Sequence, residues 1–216
     1  LTEEETTRGK YFAKTNAIKD DDLVIGLNTG AGKRWEKKRW SEKKTAKLAE
    51  KLEKELKARI ILLGGPEEKE RNAMIMEQSS AKLIDAGTDN SLRDFASKIS
   101  LCDAVVTSDS LAMHIAIALK KETVVLFGPT SYSEIELYGR GMKIIPKMDC
   151  LCCYRNTCSM SPNCMDSIEV DQVFSAVKEL VYSKAADKEK GSQDKEKDAP
   201  SISESKGSMN RSGAAD

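Results

Sequence analysis

The residue types able to do chemistry concentrate in three stretches. The first is Thr107–Thr130, TSDSLAMHIAIALKKETVVLFGPT. Here Asp109 lies between two hydroxyls, Ser108 and Ser110. The chain's single histidine, His114, follows four residues after Ser110, on the same helix face. An acid and hydroxyls between an apolar run and a helix suit contact with a ligand. The start of such a helix offers unpaired N–H groups and a partial positive charge that favour a phosphate. The same three residues also suit plain helix capping. His114 has no partner acid in reach by sequence, so a structural role competes with a catalytic one.

The second stretch is Asn28-Thr29-Gly30-Ala31-Gly32 followed by KRWEKKRW. It is a small-residue turn after an apolar run, with cations beside it that could grip a diphosphate. A P-loop requires G-x-x-x-x-G-K-[ST]. Gly26 is one residue too far from Gly32-Lys33, and Arg34 stands where a magnesium-holding hydroxyl belongs. No G-x-G-x-x-G follows either, so a dinucleotide fingerprint is absent and an ordinary strand-to-helix turn remains an alternative. The third stretch is C-x2-C-x4-C-x5-C through Cys150, Cys153, Cys158 and Cys164, with Cys152 extra. Four thiolates could bind zinc or an iron–sulfur cluster; free thiols in a surface loop are the alternative. Cys102 sits beside an apolar run and reads as a buried residue.

The elements that must carry these stretches alternate. Leu23–Leu27, Arg59–Leu63, Leu83–Ala86, Ala104–Thr107, Val124–Phe127 and Lys143–Pro146 read as short buried strands. Between them lie helices at about residues 41–57, with Ser41 as N-cap and Leu48, Leu52 and Leu56 on one face, at Glu67–Gln78, after Ser91, and from about Leu111. A helical turn over Tyr132–Tyr138 and a last helix over about Val170–Tyr182 follow. Strands alternating with helices imply an α/β fold with a parallel sheet. Residues 1–20 read as a linker or connecting helix, 21–183 as one ligand-binding domain, and 184–216 as a low-complexity tail too poor in apolar residues to fold.

The chain has 216 residues and no net charge, so overall charge gives no argument for a nucleic-acid partner. No apolar run approaches the roughly 20 residues that span a bilayer. The polar, acidic start is not a signal peptide, and its first residue, Leu1, points to an upstream part of a longer protein. A cytoplasmic, reducing location is therefore expected.

Several motifs fall in a telling order: VIGLNTGAG, then Lys38-Arg39-Trp40, LLGGPEE at Leu62–Glu68, TSDSLAMHIAIAL at Thr107–Leu119 and VVLFGPT at Val124–Thr130. Together, over roughly residues 20–182, they resemble the C-terminal half of family 9 glycosyltransferases, the ADP-heptose:lipopolysaccharide heptosyltransferases and relatives. The cysteine-rich segment is also similar to theirs. The resemblance implies a Rossmann-like parallel sheet with helices on both faces, the donor-binding half of a GT-B fold. It implies a nucleotide-diphosphate sugar such as ADP-heptose as ligand, a glycolipid acceptor of the lipopolysaccharide core, no required cofactor, and peripheral work at the cytoplasmic face of the inner membrane. Asn28, Thr29, Gly30 and Lys38 would face the donor phosphates and Glu67 the ribose. Asp109 and Ser110 would meet the sugar-diphosphate, with Gly128 and Thr130 in the following turn. His114 matches the histidine closing the family's D-[ST]-G-x-x-H pattern, although Leu111 replaces its glycine. The acceptor site and the general base would belong to an N-terminal half that this chain lacks, which leaves the chain inactive alone. A non-catalytic interaction module, stapled by metal through the cysteines, is the competing reading.

Overall fold

Runs of Val, Ile and Leu too short for helices but bounded by Gly, Pro, Asp and Ser form six strands in the computed structural model, which describes the backbone of residues 1–197 and side chains through Ser183. They are β1 (Val24–Asn28), β2 (Arg59–Leu63), β3 (Leu83–Asp85), β4 (Ala104–Ser108), β5 (Glu122–Leu126) and β6 (Gly141–Ile144). The sheet order is β3-β2-β1-β4-β5-β6, and every neighbouring pair is parallel. The strand order reverses between β1 and β4. In open parallel sheets that crevice, outside the carboxyl ends of the strands, is where ligands bind. The α/β parallel architecture read from the sequence is the one found.

Among the described residues six α-helices connect or flank the strands: α1 (Glu3–Thr15), α2 (Glu42–Leu56), α3 (Lys69–Gln78), α4 (Leu92–Ile99), α5 (Leu111–Ala118) and α6 (Val170–Lys197). Because side chains alternate along a strand, each strand feeds two cores. Ile25, Leu27, Ile60, Leu62, Val106 and Leu126 pack against α2, α3 and α6. Val24, Ile61, Leu63 and Val105 pack against α4 and α5 on the other face, with Phe12 of α1 at the border. Burial on both faces explains why the strands read as continuous apolar runs rather than alternating ones.

Ser41 and Ser91 cap their helices as expected, accepting from the N–H groups of Lys44 and Asp94. Of the two readings of residues 1–20, linker or connecting helix, the helix is the one found, and α1 is docked on α4: a Cβ on Gly9 would lie 3.0 Å from the Ser97 carbonyl, and Glu5 pairs with Arg93. Two expectations need correction. Residues 132–138 form turns instead of a helix, because the carbonyls of Tyr132 and Ile135 accept from the Lys143 ammonium and Tyr138 turns left-handed. The last helix continues past Tyr182 to Lys197. Residues 184–197 are rich in Ala, Lys and Glu, which are strong helix formers; the rest of the expected tail, 198–216, lies outside the described residues.

The Glu5–Arg93 contact makes α1 docking acid-sensitive. Arg93, with the Thr2 N–H, lowers the Glu5 carboxyl from its ordinary 4.5 to about 2. The folded state therefore binds fewer protons than the unfolded chain, and the stabilisation is complete above about pH 4.5 and lost as pH falls towards 2. Chemical denaturation across this window should show stability falling with acid in the wild type. In Glu5→Gln that part of the pH dependence should be absent.

Candidate functional site

At the β1–β4 crevice, one side-chain amide organises the backbone. Asn28, the last residue of β1, donates from Nδ2 to the Gly30 carbonyl at 2.9 Å and to Thr107 Oγ1 at 3.0 Å, with Ser110 Oγ at 3.3 Å. Thr107 Oγ1 and Ser110 Oγ are themselves 2.9 Å apart. Thr107 donates its proton to the Ser108 carbonyl, so Ser110 must donate to Thr107. That hydroxyl is thus drawn away from the helix that follows. Ser110 occupies the N-cap position of α5 in extended backbone, yet its side chain makes no capping hydrogen bond. The simple N-cap reading of the Ser-Asp-Ser turn is thereby replaced, because Ser110 is spent on the β1–β4 tie. The first N–H groups of α5 are left for something else.

Beside this helix start, Lys38 reaches in from the short 3-10 helix Lys33–Lys38. Its ammonium donates to Asp109 Oδ2 at 2.8 Å and to the Asp109 carbonyl at 3.1 Å, and lies 5.0 Å from the centre of the Trp35 ring. Lys38 is 8 % exposed. A cation so buried needs a counter-charge, and next to a positive helix end the need is greater. In this structure the Asp109 carboxylate supplies it.

The cleft beside these groups has a volume of about 440 Å³. Asn28, Gly30 and Ser110 line its polar end, Glu67 its rim, and Leu92, Phe95 and Leu111 an apolar wall. Leu92 and Leu111 stay largely exposed, at 55 % and 60 %, apolar surface that a ligand in the cleft would cover. Of the residues predicted from sequence, Asn28, Gly30, Lys38, Glu67, Asp109 and Ser110 come together here. Glu67 is exposed, with no hydrogen bond among the described residues, and is free to meet a ligand. His114 is also exposed, one turn along α5.

Three others face elsewhere. The Thr29 hydroxyl is buried on the Leu63 carbonyl and on Asn72 Oδ1, tying the turn to β2 and α3. Gly128 lies under the cysteine loop, where a Cβ would come within 2.6 Å of Cys164 Sγ. Thr130 is buried with its hydroxyl unpartnered, and its carbonyl accepts from Cys152 Sγ. The expected metal centre is not formed: Cys150, Cys153, Cys158 and Cys164 are free thiols, and no group of three or more potential ligands converges among the described residues. The reason is directional. Cys164 turns inward against Gly128, while Cys150, Cys153 and Cys158 face solvent. Cys102 is buried, with its thiol pushed up to about 12 by desolvation, which removes it from thiolate chemistry.

The residue that sequence reading missed is Glu68. Only 4 % exposed, it accepts from the Gly65 N–H at 3.1 Å and from Arg39 Nη2 at 3.2 Å. Its carboxylate lies against Gly30, where a Cβ would meet Oε2 at 2.7 Å. One buried acid thereby joins the β1 turn, the β2 turn and the residue next to Lys38. The signal was present: Glu three residues after the start of a helical turn is the returning half of a capping box. Gly30→Ala should lower stability by about 1–3 kcal/mol through this clash. In a Glu68→Ala background the added cost should shrink, which denaturant melts of the four-protein cycle would measure.

The sequence profile of glycosyltransferase family 9 (heptosyltransferase) matches residues 3–163. Lipooligosaccharide heptosyltransferase 2 of Campylobacter jejuni is 26% identical over 174 residues, 78% of this chain and 55% of that protein. The chain thus spans about half the length of the curated relatives it matches. The family 9 glycosyltransferase of Veillonella parvula superposes with a TM-score of 0.73 at 24% identity, covering 85% of this chain and 53% of that one. The ADP-heptose LPS heptosyltransferase II of E. coli gives 0.66 at 22% identity, covering 86% and 53%. The structural likenesses show a shared fold, and the profile match over residues 3–163 establishes that this chain belongs to glycosyltransferase family 9.

Proposed function

We propose that this chain is the donor-binding part of a heptosyltransferase. It would hold the diphosphate of an ADP-sugar at the start of α5 while the sugar passes to a lipopolysaccharide-core acceptor held by a partner domain. The observation that carries this reading is the uncapped start of α5 beside the buried Lys38 ammonium. The uncapped start of α5 and a lysine ammonium held on the Asp109 carbonyl at the head of that helix stand together at the switch of the sheet. A diphosphate matches both, because helix-start amides and a lysine each favour phosphate oxygens. The relatives named for heptosyl transfer, one of them for ADP-heptose, supply the substrate class.

The division of labour follows from charge. In the transfer, the acceptor oxygen bonds to the anomeric carbon as the carbon–oxygen bond to the diphosphate breaks. The diphosphate leaves with the electron pair, and the acceptor's proton passes to a base outside this chain. Negative charge therefore grows beside the α5 amides and the Lys38 ammonium released from Asp109, which stabilises the transition state without a metal. The Lys38–Asp109 pair is the resting arrangement. Lys38 exchanges Asp109 for phosphate as donor binds, and the carboxylate is released towards the sugar hydroxyls. Glu67 at the rim suits ribose hydroxyls. The apolar wall suits the base.

Calorimetry with ADP, UDP and GDP tests the reading. ADP should bind, and Lys38→Ala should weaken it about 10–100-fold, the value of one or two charge-assisted hydrogen bonds. Asp109→Asn should leave ADP affinity equal or higher, since it frees Lys38 and removes a negative charge beside the diphosphate. Absence of binding by any nucleotide to demonstrably folded protein would contradict the proposal.

A further inference from the structure

Charge in this chain is segregated. Between Lys33 and Lys57, Lys and Arg outnumber Glu by eleven to five, in a chain with no net charge. All five acids are engaged. Glu36 lies 3.9 Å from Arg39, Glu55 lies 3.8 Å from Lys51, and Glu42 pairs with Arg71. Glu50 accepts from Ser80 and Glu53 from the Lys82 N–H. Four of the cations are also engaged: Lys38 with Asp109, Arg39 with Glu68, Lys44 with Glu169 and Lys51 with Asp171.

Seven cations are left, of which Lys57 is the left-handed C-cap of α2 and the other six are exposed on two consecutive elements. Lys43, Lys47 and Lys54 of α2 are exposed. Their spacings of four and seven put them on one stripe about 40° wide. Lys33, Arg34 and Lys37 of the preceding 3-10 helix are exposed as well. None of these six has an ion-pair partner among the described residues. The half-buried ring of Trp35 lies in the same 3-10 helix, with the Arg34 guanidinium 5.5 Å from its centre. Since α2 follows β1, its Lys43 end lies at the same edge of the sheet as the cleft.

We propose that this stripe, with Trp35, is a docking surface for an anionic lipid bilayer; the proposal rests on the reading of the acceptor as a glycolipid. The side chains favour this partner. Five of these six cations are lysines, flexible point charges suited to a diffuse anionic plane; there is no array of arginine forks such as reads bases or binds phosphates bidentately. Tryptophan is the side chain that settles at a lipid–water interface. Engagement there would hold the cleft edge towards the membrane that presents the acceptor.

The test is vesicle co-sedimentation of the full chain. Vesicles of phosphatidylcholine with about 30 mol % phosphatidylglycerol should bind the protein, and phosphatidylcholine alone should not. Raising salt to about 0.5 M should release it, as screening requires. Lys43→Gln/Lys47→Gln/Lys54→Gln should lose about fivefold per lysine, about a hundredfold together. The triple variant should melt like wild type and bind ADP unchanged, because none of its sites touches the cleft. Wild type that binds ADP but ignores anionic vesicles would overturn the docking surface and leave the donor site standing. Undiminished vesicle binding by the triple variant would also overturn it. So would duplex DNA that displaces the vesicles at equal charge concentration, which would assign the stripe to nucleic acid.

Discussion

A hydroxyl kept from its usual task shapes this molecule. Ser110 has the position and residue type of a helix N-cap, a contact ordinarily worth about 1 kcal/mol. The Asn28 amide and Thr107 hold it instead against the end of the sheet. That diversion does two things at once. It locks β1 to β4 where the strand order reverses, and it leaves the α5 amides open. An anion bound there would offset the cost of the unfilled helix start, so on the proposed reading local instability and ligand affinity share one cause.

Around that point the supporting contacts form a closed set. Thr29 ties the β1 turn to β2 and α3. Glu68 joins Gly30, Gly65 and Arg39 from beneath. Arg39 adjoins Lys38, whose ammonium rests on Asp109 at the head of α5. Asn28, Gly30 and Ser110 are thus held in place before binding, and the changes left to the donor are the exchange of Asp109 for phosphate at Lys38 and the ordering of the free Glu67. Pre-organisation of this kind is what electrostatic stabilisation of a leaving diphosphate needs, because no reorganisation is left for the reaction step.

The scaffold was legible because parallel strands buried on both faces leave unbroken Val-Ile-Leu runs, and because Ser41 and Ser91 announce helices that they do cap. Asn28 and Asp109 stood out as candidate site residues from type and position after a strand, whereas Lys38 was picked from five neighbouring cations by the family resemblance alone. The direction of side chains was not legible. Gly128 and Thr130 follow β5 just as Asp109 follows β4, but the cysteine loop covers them. Glu67 and Glu68 are adjacent acids in one motif, and only tertiary packing sends one to the rim and buries the other. The cysteine spacing invited a metal, yet spacing says nothing of where four Sγ atoms point. Residues 132–138 have a helical composition, but Lys143, distant by a strand, takes their carbonyls.

The central claim is that the open start of α5 receives a diphosphate. Backbone amide chemical shifts of Leu111 and Ala112, followed by NMR during titration with ADP and separately with adenosine, test it most directly. The account requires large, saturable shifts at both amides with ADP and little change there with adenosine, even as resonances along the apolar wall respond to both. Equal responses of these amides to the two ligands, or ADP binding that leaves them unmoved, would contradict it.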